Sequence, residues 1–266
     1  MRPGYLLRAA MHFREKDASY FAGGIAFYLL FALTPFLLLT LSIAALFAGS
    51  QGAFVEVFDS FFKANVPGYA RAIHDTLYQV FEHRGQIGLV GLFWLFLAAR
   101  KLVNAIEIGL NAVLEVEKPK SGILSTLASM AFIFLAALLF LATVLFTVAL
   151  DFALGIDVSF VPDKARSLAE TILSAVVSGL ASVALFYGIY RLAPARGLSN
   201  RDALFASVAA CFMWLGARHA FVWFGARQMA NYQWLYGSMA GFLMIMLWAY
   251  VFGNALLMGA CLVKKK

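Results

Sequence analysis

Long apolar runs constrain this chain more than any other feature. Phe21 to Ala48 contains no charged residue, and comparable stretches recur along the sequence. Crossing the roughly 30 Å hydrocarbon core of a bilayer as a helix takes about 20 residues. Six segments meet that need: 21–48, 87–110, 123–150, 168–190, 203–224 and 237–263. The first and third are long enough to tilt. In the second, the apolar run stops at Ala99, and Arg100 and Lys101 follow at once. Hydrophobic residues make up 63% of the 266 and charged residues 13%, against about 45–50% and about 25% in a soluble domain. No single water-soluble core hides that much apolar surface. The expected fold is therefore an all-α integral membrane protein with six transmembrane helices.

Lys and Arg in the loops set orientation. Fourteen of them fall on one side, in 1–20, 100–122, 191–201 and the tail 264–266, against six on the other (Lys63, Arg71, Arg84, Lys164, Arg166, Arg227). That bias, which also accounts for the net charge of +7, places both termini in the cytoplasm and requires an even number of crossings. The run from Phe21 is too long for a signal-peptide core and no cleavage site follows it, so the N-terminus is not expected to be cleaved.

Three regions follow from this pattern. Residues 1–20 read as an N-terminal interfacial amphipathic helix, with Leu6, Ala9, Ala10 and Phe13 on one face and Arg8 and Arg14 flanking it. Residues 21–263 read as a single six-helix membrane domain, and 264–266 as a basic cytoplasmic tail. Within the domain, Phe54, Val57, Phe58, Phe61 and Phe62 have helical spacing, Asn65-Val66-Pro67-Gly68 breaks the chain, and Ala70, Ile73, Leu77, Val80 and Phe81 resume it. This predicts an external amphipathic helical hairpin over 50–84. There is no internal repeat to support an inverted-repeat transporter.

Polar side chains in hydrocarbon are costly, so they mark either packing or a pathway. Arg100, Asn104, Glu107 and Asn111 fall within about 60° of one another on a helix. They line a cytoplasm-open cavity for a polar or anionic group, or else form the solvated face and packing network of an interfacial helix end. Pro35, after Thr34, removes a backbone donor at the middle of the first segment. It is either a hinge or a static kink. Arg218, beside His219 whose next turn carries Trp223, either snorkels to the outer interface or holds an anionic group or Asp151. Asn254 reads as an interhelical hydrogen-bonding residue or as part of a pathway. Gly237 and Gly241, and Ala255 and Gly259, are small-xxx-small pairs that signal close packing.

Enzyme chemistry finds no foothold. His12, His74, His83 and His219 lack metal-ligand spacing, and there is no phosphate-binding loop, nucleophile elbow or dinucleotide fingerprint. No metal, cofactor or nucleic-acid partner is expected. Cys211 and Cys261 both lie in apolar runs and read as small packers.

Five stretches, in order over about residues 15–262, resemble the YihY family, also called the virulence factor BrkB family and once labelled ribonuclease BN. They are Ala26-Phe27-Tyr28 through Thr34-Pro35; Ala105 to Asn111; Tyr190-Arg191 with Pro194; Tyr236-Gly237-Ser238; and Leu247-Trp248-Ala249-Tyr250 with Gly259-Ala260. One position departs from the family pattern: an acidic residue usually follows the last Gly-Ala, and here it is Cys261. The resemblance implies six helices in the bacterial inner membrane and an export or transport role in the cell envelope. The ribonuclease label has no support in these residues. RNA hydrolysis needs metal carboxylates or an acid–base pair, and Glu115 and Glu117 point to opposite sides of a helix beside Lys118 and Lys120.

Two functions remain open. In the first, the chain is a transporter or flippase-like exporter of an anionic or lipid-linked envelope substrate. Pro35 would be its hinge, and Arg100, Asn104, Glu107 and Asn111 its vestibule, with Tyr28, Arg191, Arg218 and Asn254 further along the path. In the second, it is a non-transporting membrane scaffold that partners an envelope-assembly complex through the outer hairpin. Membrane lipids are partners under both readings, and a homo-oligomer is compatible with either.

Overall fold

The computed structural model describes residues 3–48, 50–52, 54–56, 77–116, 163–195, 197–236 and 239–263. Among the described residues six helices carry the fold: α1 (Pro3–Glu15), α2 (Ala18–Phe47), α3 (Arg84–Leu114), α4 (Asp163–Leu192), α5 (Asn200–Tyr236) and α6 (Met239–Cys261). No strand occurs among the described residues. Among the described residues, four spans are long and apolar enough to cross a membrane: Ala18–Phe47, Arg84–Leu114, Asn200–Phe221 and Gly241–Cys261. A shorter apolar stretch, Val176–Leu192, ends α4. The expected third segment, 123–150, lies outside the described residues, as does the middle of the expected hairpin, 57–76.

The helix ends are set by local chemistry. Lys16 and Asp17 donate backbone N–H bonds to His12 and Arg14 at 3.0 and 3.1 Å, and Asp17 adopts a left-handed φ of 50° that closes α1. Glu115, at φ 52°, does the same for α3. Such caps are usually glycine, and acidic residues bear the strain less readily. An ion pair of 2.6 Å joins these two helix ends, from Lys16 Nζ to Glu115 Oε1. At the start of α5 the Ser199 hydroxyl accepts from the Asp202 amide at 3.3 Å and donates to the Asp202 carboxylate at 2.7 Å. This is a local variant of the capping box.

The chain divides into two compact units. The first comprises residues 1–27 and 103–266; in it α5 packs against both α4 and α6, and α1 packs against α6. Small residues let neighbouring backbones close on α6: a Cβ on Gly253 would stand 2.9 Å from the Ala22 carbonyl. A Cβ on Gly259 would strike the Tyr190 hydroxyl and stand 2.9 Å from Ala210 Cβ. Gly259 of the expected pair, together with Gly253, thus makes a close-packed seam, and Ala255 is buried. Rings extend it: Trp214 lies 4.4 Å from Trp248 and 5.5 Å from Phe252, and Phe186 stacks on Phe252 at 5.6 Å. α1 is apolar on two sides. Ala9 is buried, whereas Leu7 and Met11 are exposed between Arg8 and Arg14.

The second unit comprises residues 28–102. Its core gathers Ala45, Phe54, Val55, Leu77 and Val80, with Leu41, Ala44, Phe81 and Ile87 packed against them. The described flanks of the expected hairpin therefore turn inward, with the Phe54 and Phe81 rings 5.7 Å apart.

Candidate functional site

The polar stripe of α3 does not behave as one surface. Arg100 and Asn104 are exposed, Glu107 is only 6% exposed, and Asn111 is half-buried. Val103, Ile106 and Leu110, all buried, are the apolar neighbours of Glu107 along the helix. Asn111 Oδ1 accepts from the Ala195 amide at 2.9 Å and so fastens the turn after α4 to α3. The last turn of α3 is tied a second time: His12 Nε2 donates to the Val113 carbonyl at 2.9 Å. That carbonyl is one of the acceptors every helix C-terminus leaves without an internal partner.

The remaining expected site residues are dispersed. The Arg191 guanidinium is exposed and donates to the Leu198 carbonyl at 2.6 Å, bracing the α4–α5 turn. Gly197 lies so close to Arg191 that a Cβ there would stand 2.8 Å from its carbonyl oxygen. Arg218 is exposed on α5. Asn254 donates to the Tyr250 carbonyl one turn back at 2.8 Å, and Ser207 bonds the Ala203 carbonyl in the same way. Tyr28 is half-buried at the start of the second unit. Among the described residues, no group of His, Cys, Asp and Glu could hold a metal ion.

Two features have a role that the sequence reading did not assign. One is Tyr190, fully buried, whose hydroxyl donates to the Leu256 carbonyl at 2.6 Å. A lone tyrosine at the end of an apolar run carries no signal of such a bond. The other is a groove of about 420 Å³ in the second unit, lined by Phe31, Thr34, Pro35 and Leu38 of α2 and Val90, Gly91 and Trp94 of α3. Pro35 pointed to its place, and Gly88 and Gly91, three residues apart, were the missed signal. A Cβ on Gly91 would stand 3.3 Å from Leu39 N and 3.4 Å from the Pro35 carbonyl, so the two helices meet there backbone to backbone. Nearby, Ser42 is buried against Gly88, and among the described residues its hydroxyl has no hydrogen-bond partner.

Comparison with known proteins supplies the lineage. The profile of the virulence factor BrkB family matches residues 9–263. A UPF0761 membrane protein of Vibrio atlanticus (strain LGP32) is 24% identical over 256 residues, covering 96% of this chain and 79% of the relative. The ribonuclease-like protein YfkH of Bacillus subtilis (strain 168) is 27% identical over 245 residues, covering 88% and 85%. No solved structure matches. With its apolar spanning helices and a match from residue 9 to 263, the chain is a membrane protein and belongs to the virulence factor BrkB family.

Proposed function

We propose that this protein moves an anionic or lipid-linked envelope substrate across the bacterial inner membrane, as a transporter or flippase-like exporter. In this reading it has six crossings and both termini in the cytoplasm. One observation carries the proposal. Glu107 is buried in α3, on the part of the helix that follows Arg100, Lys101 and the apolar run ending at Ala99. Burying an ionisable group is costly, and beside a membrane span such groups, held by polar partners or facing water, mark substrate and ion pathways. Asn104 and Arg100 continue the stripe toward exposed positions on the same helix. A gradient supplies the driving force. The scaffold alternative expected an aromatic outer surface that included Phe54, but Phe54 is only 2% exposed and packs inward, which weakens that reading.

The test is transport by the purified protein in liposomes, with lipid translocation and anion flux as readouts. Arg100→Gln and Glu107→Gln keep side-chain shape and remove charge. Each is expected to lower the rate by about tenfold, the equivalent of roughly 1.4 kcal/mol, with expression unchanged. Rates equal to the unaltered protein would remove these residues from the path. Rates no faster than protein-free vesicles for the unaltered chain would end the transport reading.

A further inference from the structure

The groove beside Pro35 has no part in the polar reading of α3, and its chemistry points elsewhere. Its lining carries no charged side chain and a single hydroxyl, that of Thr34. Its volume of about 420 Å³ falls within the roughly 300–1,000 Å³ typical of small-molecule sites. Two features frame it. The Pro35 ring fixes φ and cannot donate to the Phe31 carbonyl, so the hydrogen-bond ladder of α2 is interrupted at the groove. At Gly91 the two helices come within backbone contact, against the Pro35 carbonyl and Leu39. Both helices are long and apolar enough to span a membrane.

The surroundings name the occupant. Phe31, Val90 and Trp94 form part of the groove and are themselves exposed. They run without a polar break into Leu89, Leu92 and Phe93, exposed by 54–72%. In a membrane protein, a spanning surface of this kind is the interface with lipid hydrocarbon, so the groove is an inward extension of that interface. We propose that it holds one acyl chain of a membrane phospholipid at hydrocarbon depth. The binding site stands on the groove alone. The further statement that the bound lipid is the transported substrate rests on the transport reading above.

The full chain is reconstituted in phosphatidylethanolamine–phosphatidylglycerol vesicles with a trace of phospholipid bearing a diazirine in one acyl chain. After irradiation, adducts are mapped by mass spectrometry. Adducts should concentrate on the peptides holding Phe31–Leu38 and Val90–Trp94, above the comparably exposed Phe242, Ile245 and Met246 of α6. Val90→Trp, which fills the groove from its rim, should lower that labelling about tenfold, a preference of roughly 1.4 kcal/mol. Leu180→Trp on α4 should leave it unchanged. If Val90→Trp does not fold, Thr34→Phe fills the groove from the α2 side and should give the same loss.

Labelling no stronger than on α6 and insensitive to filling means bulk lipid alone, and overturns the proposal. So does a cross-link between two copies through the groove with no lipid adduct. Labelling of the groove without lipid translocation leaves the acyl-chain site standing and removes its role in transport. Translocation without groove labelling overturns the acyl-chain site and leaves the transport reading standing.

Discussion

The two units hold themselves together by different means. In the first, polar side chains are spent on distant backbone: Asn111 on Ala195, Tyr190 on Leu256, His12 on Val113. Glycines at 253 and 259 close the remaining distance. In the second, packing is apolar, Ser42 is buried without a partner among the described residues, and a groove stands open beside a proline. Inside a membrane, helices gain nothing by hiding apolar surface from lipid, so fit and interhelical hydrogen bonds decide which contacts are specific. The first unit has both. The second keeps open volume, which costs dispersion contacts unless something fills it. The contrast teaches that the close-packed unit and the unit with the proposed lipid groove should respond to different mutations.

Gly259→Val should have the largest effect. Its methyl groups meet Tyr190, Ala206 and Ala210 with no room to shift, and overpacking of this kind costs about 3 kcal/mol. Thermal unfolding in detergent should show a large drop or no folded protein; an unchanged transition would break the claim that this seam is close-packed. Tyr190→Phe comes next. It removes one buried bond and leaves the Leu256 carbonyl with its helical partner only, a loss of about 1 kcal/mol. The same scan checks it, and a neutral result would show that the ring, not the hydroxyl, holds the seam.

Lys16→Met should cost about 0.5 kcal/mol or less, because both partners are about one-third exposed and exposed ion pairs are screened. Stability of the unaltered chain should fall toward that of the variant as salt is raised, and a salt-independent difference would contradict the assignment. Ser42→Ala should have the smallest effect, within about 0.5 kcal/mol of neutral. No bond is lost and an unpaired hydroxyl is removed. A large loss there would show that the second unit relies on a polar contact after all.

Much of this architecture is legible in residue order, because a 30-residue apolar run such as α2 has few alternatives. The break after α1, the proline in α2 and the small-residue seam in α6 also follow from residue type and spacing. The partner of each polar group does not. Asn111 was grouped with Glu107 by helical phase, yet its bond is to Ala195, 84 residues on. Phase reports which side of a helix a residue occupies and is silent on what lies opposite. The groove escaped notice for the same reason. Pro35, Gly88 and Gly91 each signal irregular or close backbone, but a cavity depends on how two helices cross.

The most direct measurement compares Val90→Trp with Tyr190→Phe in liposomes, reading lipid translocation per folded molecule and melting temperature together. Val90→Trp is expected to keep its melting temperature and lose about tenfold in rate, while Tyr190→Phe loses stability and keeps the rate. The opposite pattern, with translocation following Tyr190 and indifferent to a filled groove, would contradict the account.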